Sequence, residues 1–134
     1  MTGSTQRLEA HGVTLGYDGR TISDDLNLAV PDGSFTVIVG ANGCGKSTLL
    51  RGLARLLKPS HGAVHLDGRD IHRYSSKEVA RQLGLLPQGQ VPPDGITVAD
   101  LVSRGRYPHQ SLLRQWSAAD EEAVLSALTV TNTL

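Results

Sequence analysis

The chain has 134 residues, the length of one ordinary domain, with 39% hydrophobic and 19% charged residues. This composition is typical of a folded globular protein and argues against disorder. Thirteen basic and thirteen acidic side chains cancel, so no long-range electrostatic field favours nucleic acid or an anionic membrane surface.

The cysteine content and the apolar patterning exclude further classes. The single cysteine, Cys44, cannot form an intramolecular disulfide, and the five histidines show no zinc-site spacing. Residues 1–12 lack the basic and apolar regions of a signal peptide, and no run of eighteen apolar residues occurs. We therefore expect a cytoplasmic chain that does not itself span a membrane.

Two segments near the start predict a small antiparallel sheet. Residues 7–17 and 25–30 alternate between apolar and polar side chains, as half-buried strands do. In the second segment, Leu26, Leu28 and Val30 share one face, which is expected to pack on a core.

A buried central strand and a helix are predicted next. After a turn at residues 31–33, residues 34–39 form a short apolar run rich in β-branched side chains, as in strands buried on both faces. A helix is expected over residues 46–57, where five leucines fall at helical spacing, and Pro59 ends it.

A hairpin is predicted in the middle of the chain. Asp67-Gly68 is a strong tight-turn signal, so residues 62–66 and 70–71 are expected to pair and to join the first sheet. Asp67 follows several apolar residues, as a metal-binding aspartate does in many nucleotide-binding folds. The preference of Asp-Gly for tight turns explains the presence of Asp67 better than a metal-binding role does.

The remaining residues predict one more buried run and three helices. Residues 83–86 form an apolar run, and residues 104–116 form a polar loop without periodicity. A final helix is expected over residues 118–128. Three hydroxyl residues, each followed three positions later by an acid, are expected to cap helix N-termini: Ser75 with Glu78, Thr97 with Asp100, and Ser117 with Asp120.

Residues 40–48 carry the strongest functional motif. They match the pattern G-x-x-x-x-G-K-[ST] and lie between a predicted buried strand and a predicted helix. Glycines let backbone N–H groups approach phosphate oxygens closely, and the helix directs its positive dipole end to the same place. The motif predicts a nucleotide site formed by Gly40, Asn42, Gly43, Cys44, Gly45, Lys46, Ser47 and Thr48.

Several of these residues have separate predicted roles. Lys46 supplies a positive charge to the β- and γ-phosphates, the Ser47 hydroxyl binds Mg²⁺, and Thr48 bonds the α-phosphate region. Cys44 is interpreted as a small tolerated side chain, since no histidine base lies near it in sequence. The structural alternative is a glycine-rich turn with a surface lysine.

Four further features follow one another in a family-specific order. Tyr17 ends a predicted strand before the glycine-rich loop, and the hairpin turn Asp67-Gly68 comes after that loop. Gln88 then ends the run Leu-Leu-Pro-Gln, and residues 94–109 come last. With the loop, they make the chain resemble the ATPase subunit of ABC transporters, particularly those of ferric-siderophore, haem and cobalamin importers. The resemblance extends from about Leu8 to the end.

The resemblance assigns roles to Tyr17, Gln88 and residues 94–109. Tyr17 corresponds to the family's aromatic residue that stacks on adenine, for which a planar π-face is suited. Gln88 corresponds to the glutamine that reaches Mg²⁺ and the attacking water, and with Lys46 it is a candidate catalytic residue. Residues 94–109 correspond to the region that faces the membrane partner. Core packing of Tyr17 and a solvated Gln88 are the alternatives.

The resemblance implies an α/β fold: a P-loop NTPase (RecA-like) core, a small antiparallel β subdomain and the start of a helical subdomain, together incomplete. Residues 1–33 and 60–72 are expected to form the β subdomain, residues 34–59 and 80–89 the P-loop core, and residues 90–134 the start of the helical subdomain.

The resemblance also implies what lies beyond Leu134. The signature sequence, the Walker B residues with the general base and the switch histidine are expected there. The chain is therefore expected to be the N-terminal half of the protein. As a free chain it is expected to be unstable, aggregation-prone or a weak nucleotide binder, because strands that flank residues 34–39 are missing.

By resemblance, the intact protein is expected to be an ATPase that uses ATP and Mg²⁺ to import an iron-siderophore-type, haem or cobalamin substrate. Expected partners are transmembrane permease subunits and a second ATPase subunit in a homodimer, with no nucleic acid. The expected location is peripheral, at the cytoplasmic face of the membrane. A non-catalytic nucleotide-binding fragment and another P-loop ATPase or kinase are the alternatives.

Overall fold

The structure, a computed structural model, describes residues 6–111 and 116–134. The chain divides into two compact units, Met1–Val79 and Ala80–Leu134. Among the described residues, no helix has the length and hydrophobicity needed to cross a bilayer.

The first unit contains a four-stranded antiparallel sheet in the order β2-β1-β3-β4. Its elements in chain order are β1 (Leu8–Tyr17), β2 (Arg20–Val30), α1 (Lys46–Leu53), β3 (His61–Leu66), β4 (Arg69–Asp70), a 3₁₀ turn (Ile71–Arg73) and α2 (Ser76–Ala80), whose last residue begins the second unit.

The sheet confirms the predicted strands and hairpin. Leu26, Leu28 and Val30 are half-buried and alternate with exposed residues along β2, as the apolar pattern predicted. Asp67 and Gly68 both have positive φ, 52° and 78°, which is the backbone of a type I′ turn between β3 and β4. The Asp67 carboxylate accepts hydrogen bonds from Arg7, with Nε at 2.7 Å.

The core of this unit lies between the sheet and α1. Its buried apolar side chains are Ala10, Val13, Leu15, Leu53, Val64, Leu66, Ile71 and Val79. Helix and sheet approach closely at Gly52, where an added Cβ would lie 2.8 Å from Cδ1 of Leu15. Glycine at this position therefore brings α1 against β1.

The predicted buried strand at residues 34–39 and the predicted buried run at residues 83–86 are absent, so both predictions were wrong. Residues 34–39 form neither helix nor strand, and Phe35 and Val39 are 95% and 85% exposed. Residues 83–86 are also irregular, and Leu86 is 90% exposed. A strand needs a neighbouring strand for its backbone hydrogen bonds, and the sheet in the described residues consists of β1 to β4 only.

Helix α1 ends at Leu53, four residues before the predicted end. The cause is Arg55, whose left-handed φ of 68° stops the helix. Its guanidinium donates hydrogen bonds to the carbonyl oxygens of Ile71 at 3.1 Å and Tyr74 at 2.9 Å, which fix this conformation. The 3₁₀ turn after β4 is thereby tied to the end of α1.

The second unit contains α3 (Val98–Ser103), a 3₁₀ helix (Arg104–His109) and α4 (Ala118–Val130). The 3₁₀ helix corrects part of the predicted loop at residues 104–116, of which residues 112–115 lie outside the described residues. Residues Arg104–His109 continue α3 directly, with helical φ and ψ at the junction residues Ser103 and Arg104, so the chain does not become irregular there. Helix α4 extends two residues beyond its predicted end.

The three predicted helix caps are confirmed. Each hydroxyl oxygen accepts a hydrogen bond from the backbone N–H three residues on. The N–H groups of Ser75 and Ser117 also donate the reciprocal bonds to the carboxylates of Glu78 and Asp120. These bonds satisfy N–H groups that have no intrahelical partner. They depend on residues three positions apart, which is why the sequence indicates them well.

Candidate functional site

The glycine-rich loop leads directly into α1. Gly43 and Gly45 have positive φ values of 82° and 101°, a region that side chains with a Cβ rarely adopt. The Cys44 N–H donates to the Ala41 carbonyl at 3.2 Å, which closes a turn. Gly45 is the N-cap of α1, and the first helical bond runs from Leu49 N–H to its carbonyl at 2.9 Å. The N–H groups of the first helical turn therefore face the loop.

Two glycines are also required by close approach. A Cβ at Gly40 would lie 2.6 Å from Sγ of Cys44, and a Cβ at Gly45 would lie 3.0 Å from Cγ2 of Ile22. Ile22 lies on β2, so this strand supports the start of α1. A side chain at Gly40 would displace the Cys44 side chain, and one at Gly45 would crowd Ile22 and strain a left-handed backbone.

The Lys46 ammonium group lies across the loop. It donates hydrogen bonds to the carbonyl oxygens of Gly40 and Ala41, the latter at 2.9 Å, and lies 3.8 Å from Sγ of Cys44. The two carbonyl acceptors are neutral, and in the part of the chain that the structure describes no carboxylate pairs with Lys46. Its positive charge is therefore available to an anion.

Ser47, Thr48 and Asn42 differ in exposure. Ser47, in the first turn of α1, and Asn42, in the loop, are exposed. Thr48 is buried, at 8% exposure. The hydroxyl of Ser47 is thus open to a ligand at the loop, whereas Thr48 faces the protein.

Tyr17 lies beside α1. It ends β1, is 38% exposed, and its hydroxyl accepts a hydrogen bond from Nη1 of Arg51 at 3.2 Å. This bond, assisted by a bond to Thr48, lowers the pKa of the Tyr17 hydroxyl against the opposing effect of burial. The structure thus brings Tyr17 to the helix that begins at the loop.

Arg51 is a site residue that the sequence interpretation missed. It follows Thr48 by three positions, and residues at this spacing share a helix face. That spacing was the available signal, because Thr48 belongs to the motif. Without a known position for Tyr17, the partner of the Arg51 guanidinium was not identifiable.

Gln88 lies in the second unit, in an exposed turn that follows the irregular residues 83–87. The phosphate loop and Tyr17 lie in the first unit. Within its own unit, Gln88 precedes α3, the helix that begins the predicted partner-facing region.

Residues 94–109 contain α3 and the 3₁₀ helix of the second unit. They border an open cavity of about 610 Å³ lined by Asp100, Ser103, Arg104, Tyr107, Gln110 and Trp116. Tyr107 and Trp116 are 66% and 44% exposed. The Trp116 Nε1–H donates to Oε2 of Glu121 at 3.0 Å, which holds the indole against the first turn of α4.

The loop fits the phosphate portion of a nucleotide. Three features support this fit: an uncompensated ammonium, glycines that leave the backbone accessible, and a helix N-terminus without a side-chain cap. Together with the small antiparallel sheet and the helices, they define an incomplete P-loop NTPase fold.

The comparison with known families agrees. The sequence model of the family described as ABC transporter matches residues 23–133, well over half of the chain. The chain therefore belongs to the ABC transporter family. This confirms the resemblance stated from the motifs.

Two of the relatives are named for ferric enterobactin transport and for petrobactin import. The ferric enterobactin transport ATP-binding protein FepC of Escherichia coli (strain K12) is 55% identical over 131 residues, which are 98% of this chain and 48% of that protein. The petrobactin import ATP-binding protein FpuD of Bacillus anthracis is 52% identical over 124 residues, 92% of this chain and 45% of that protein. The chain spans about half the length of these relatives.

A solved structure confirms the fold class. A structure described as the ATP-binding subunit of an ABC transporter superposes with a TM-score of 0.75 at 23% identity, covering 93% of this chain and 50% of that one. The fold of the chain is thus that of part of an ABC ATPase subunit.

Proposed function

We propose that the protein containing these residues is the ATP-binding subunit of a siderophore-type ABC importer. The observation that carries this proposal is the Lys46 ammonium, which lies uncompensated in a glycine loop at the start of α1. Relatives named for ferric enterobactin transport and petrobactin import, each more than half identical to this chain, support the substrate class. Haem and cobalamin are the alternative substrates.

In this proposal, residues 40–48 bind the phosphates of ATP and the Tyr17 ring stacks on adenine. Phosphate oxygens are charged and are stronger acceptors than the two carbonyls that Lys46 contacts in the structure. Lys46 therefore turns from the loop carbonyls to the β- and γ-phosphates. The Arg51 guanidinium holds the Tyr17 hydroxyl and orients the ring.

The exposed Ser47 hydroxyl is the proposed protein ligand for Mg²⁺, with Gln88 as the second. When bound, Mg²⁺ neutralises charge that develops on the β- and γ-phosphates during transfer. A hydroxyl and an amide oxygen are hard oxygen donors, which suit this ion. Gln88 also has an N–H₂ group with which to orient the attacking water.

We propose further that these residues are the N-terminal half of the ATPase domain, divided as the sequence analysis expects. The exposed apolar residues 34–39 support this division, because they directly precede the phosphate loop and lack neighbouring strands in the described residues. Parallel strands from beyond residue 134 would pair with them. The general base and the signature sequence would lie in the same missing half.

The proposed partners are permease subunits and a second copy of the ATPase subunit, at the cytoplasmic face of the membrane. The cavity bordered by Tyr107 and Trp116 is consistent with the permease side of this assignment. An active site completed by a second copy is consistent with the exposed position of the phosphate loop.

The hydrolysis proposal is tested with a version extended to the length of the relatives. Steady-state ATPase activity is measured for that version, for Lys46→Ala and for the matched control Lys77→Ala on α2. We expect Lys46→Ala to abolish hydrolysis, because it removes the charge that stabilises the transferred phosphoryl group, and Lys77→Ala to retain it. Hydrolysis by Lys46→Ala at the unmodified rate would contradict the role of Lys46. An extended version that binds ATP without hydrolysing it would favour the non-catalytic alternative.

A further inference from the structure

The first unit also contains a basic cavity that shares no residue with the phosphate loop. Its volume is about 180 Å³, and it is lined by Gly16, Gly19, Arg20, Thr21, Lys58 and Ser60. Tyr17, which adjoins the loop helix, does not line it. The proposed function leaves this cavity without a role.

The cavity is assembled from the β1–β2 turn and the connection from α1 to β3. The Ser60 N–H donates to the Thr14 carbonyl at 2.9 Å, which fixes this connection against β1. Lys58 lies two residues before Ser60, whose position this hydrogen bond fixes. On the other side, a Cβ at Gly16 would lie 2.1 Å from the Arg20 carbonyl oxygen, so only glycine lets the turn close.

The lining carries positive charge without a counterion. The side chains of Arg20 and Lys58 form no hydrogen bond or ion pair with any residue that the structure describes, and no carboxylate lines the cavity. Asp18, the acid nearest to Arg20 in sequence, lies in the same turn but not in the lining. Both cationic residues are exposed, so their charges are open to an anion from solvent.

The donor types match a tetrahedral oxyanion. The Arg20 guanidinium offers a planar fork of N–H groups, and the Lys58 ammonium offers three donors on a flexible stem. The Thr21 hydroxyl adds one O–H group. The Ser60 hydroxyl donates to the Thr14 carbonyl at 3.4 Å and lies 3.3 Å from Nδ1 of His61, so it would have to turn to reach an anion. Such a mixture of charged and neutral donors surrounds phosphate in many proteins.

The size of the cavity limits the ligand. It is smaller than the roughly 300 Å³ at which sites for drug-sized ligands begin. The volume therefore favours a small anion such as a phosphate group.

We propose that this cavity is a second anion site, which binds free inorganic phosphate or an oxyanion of the same shape and charge. The site is independent of the nucleotide site and does not rest on the proposed function. It lies at the β1–β2 turn, which follows Tyr17.

The test is a phosphate titration of the ¹⁵N-labelled protein, followed by backbone amide chemical shifts at constant ionic strength. The Lys46→Ala background is used because the phosphate loop also binds phosphate. We expect saturable shifts at the amides of Gly19 and Thr21. We expect Arg20→Gln or Lys58→Gln to weaken this binding about tenfold, since each removes a charge-assisted contact. Arg73→Gln, which removes an exposed charge elsewhere in the same unit, is expected to have no effect.

Three outcomes would overturn the proposal: no saturable shift at Gly19 and Thr21, equal shifts with chloride, or the same affinity in Arg20→Gln and Arg73→Gln. Retained spectral dispersion in each variant shows that it is folded. If Arg20→Gln unfolds, Arg20→Lys and Lys58→Gln decide instead. Arg20→Lys keeps the charge and is expected to bind, and Lys58→Gln is expected to lose about tenfold in affinity.

Discussion

The physical basis of the proposed nucleotide site is found in single residues. Gly43 and Gly45 give the loop positive φ values that other residues rarely adopt, and Lys46 places a charge beside the loop carbonyls. Tyr17 contributes differently, since its ring offers a partly exposed π-face and its hydroxyl is held by Arg51. Charge and ring thus make separable contributions to binding.

Substitutions of Tyr17 separate ring stacking from the hydrogen bond to Arg51. Tyr17→Ala is expected to weaken ATP binding about tenfold, because stacking on a base contributes roughly 1–3 kcal/mol. Tyr17→Phe keeps the ring and is expected to bind within about threefold of the unmodified protein. Fluorescent-nucleotide titration measures both, with Tyr107→Ala as the control for loss of an exposed aromatic side chain. Equal affinity of Tyr17→Ala and the unmodified protein would show that Tyr17 is only a packing residue.

At the scale of elements, an ion pair joins the 3₁₀ helix to α4. The Arg106 Nε–H donates to Oδ1 of Asp120 at 2.7 Å, and the side chain of Asp120 is only 4% exposed. Oδ2 of Asp120 also accepts from the N–H and hydroxyl of Ser117, both at 3.0 Å. The Arg106 bond first, and the Ser117 bonds next, hold the pKa of Asp120 well below its ordinary value of 3.8.

Asp120→Asn is expected to lower the thermal midpoint of the second unit, because it removes the ion pair and weakens the cap. Trp116, the single tryptophan, lies in this unit, and its fluorescence follows the transition. Glu122→Gln on the exposed face of α4 is the control and is expected to leave the midpoint unchanged.

The same pair predicts a pH dependence. Since the folded-state pKa of Asp120 is depressed, its stabilisation is present above pH 3.8 and is lost as the pH falls below that value. The difference in midpoint between Asp120→Asn and the unmodified chain should therefore shrink on acidification below pH 3.8. A constant difference across this range would mean that Asp120 acts through packing alone.

Sequence analysis predicted those elements that depend on near neighbours. The caps at Ser75, Thr97 and Ser117 and the turn at Asp67-Gly68 rely on residues at most three positions apart, and all of them are confirmed. The bond from Arg55 that ends α1 early reaches sixteen residues along the chain, and no local pattern indicates it. The sequence separation between the interacting residues therefore decided which elements were predictable.

At the scale of the whole molecule, the central strand could not be placed from its own composition. Residues 34–39 have the apolar character of a buried parallel strand, yet such a strand forms only beside others. The family and the fold class were predictable because the phosphate loop, Tyr17 and Gln88 follow one another at family-specific intervals. The irregular backbone of residues 34–39 was not predictable, because it depends on which strands lie beside them and not on their own composition.

The most direct test of the central claim is calorimetric titration of Mg-ATP into a version extended to the length of the relatives. We predict saturable binding of one nucleotide per chain. The affinity is expected to fall at least about tenfold in Lys46→Ala and to stay unchanged in Lys77→Ala. No heat of binding with the extended version, or equal affinity in Lys46→Ala, would contradict it.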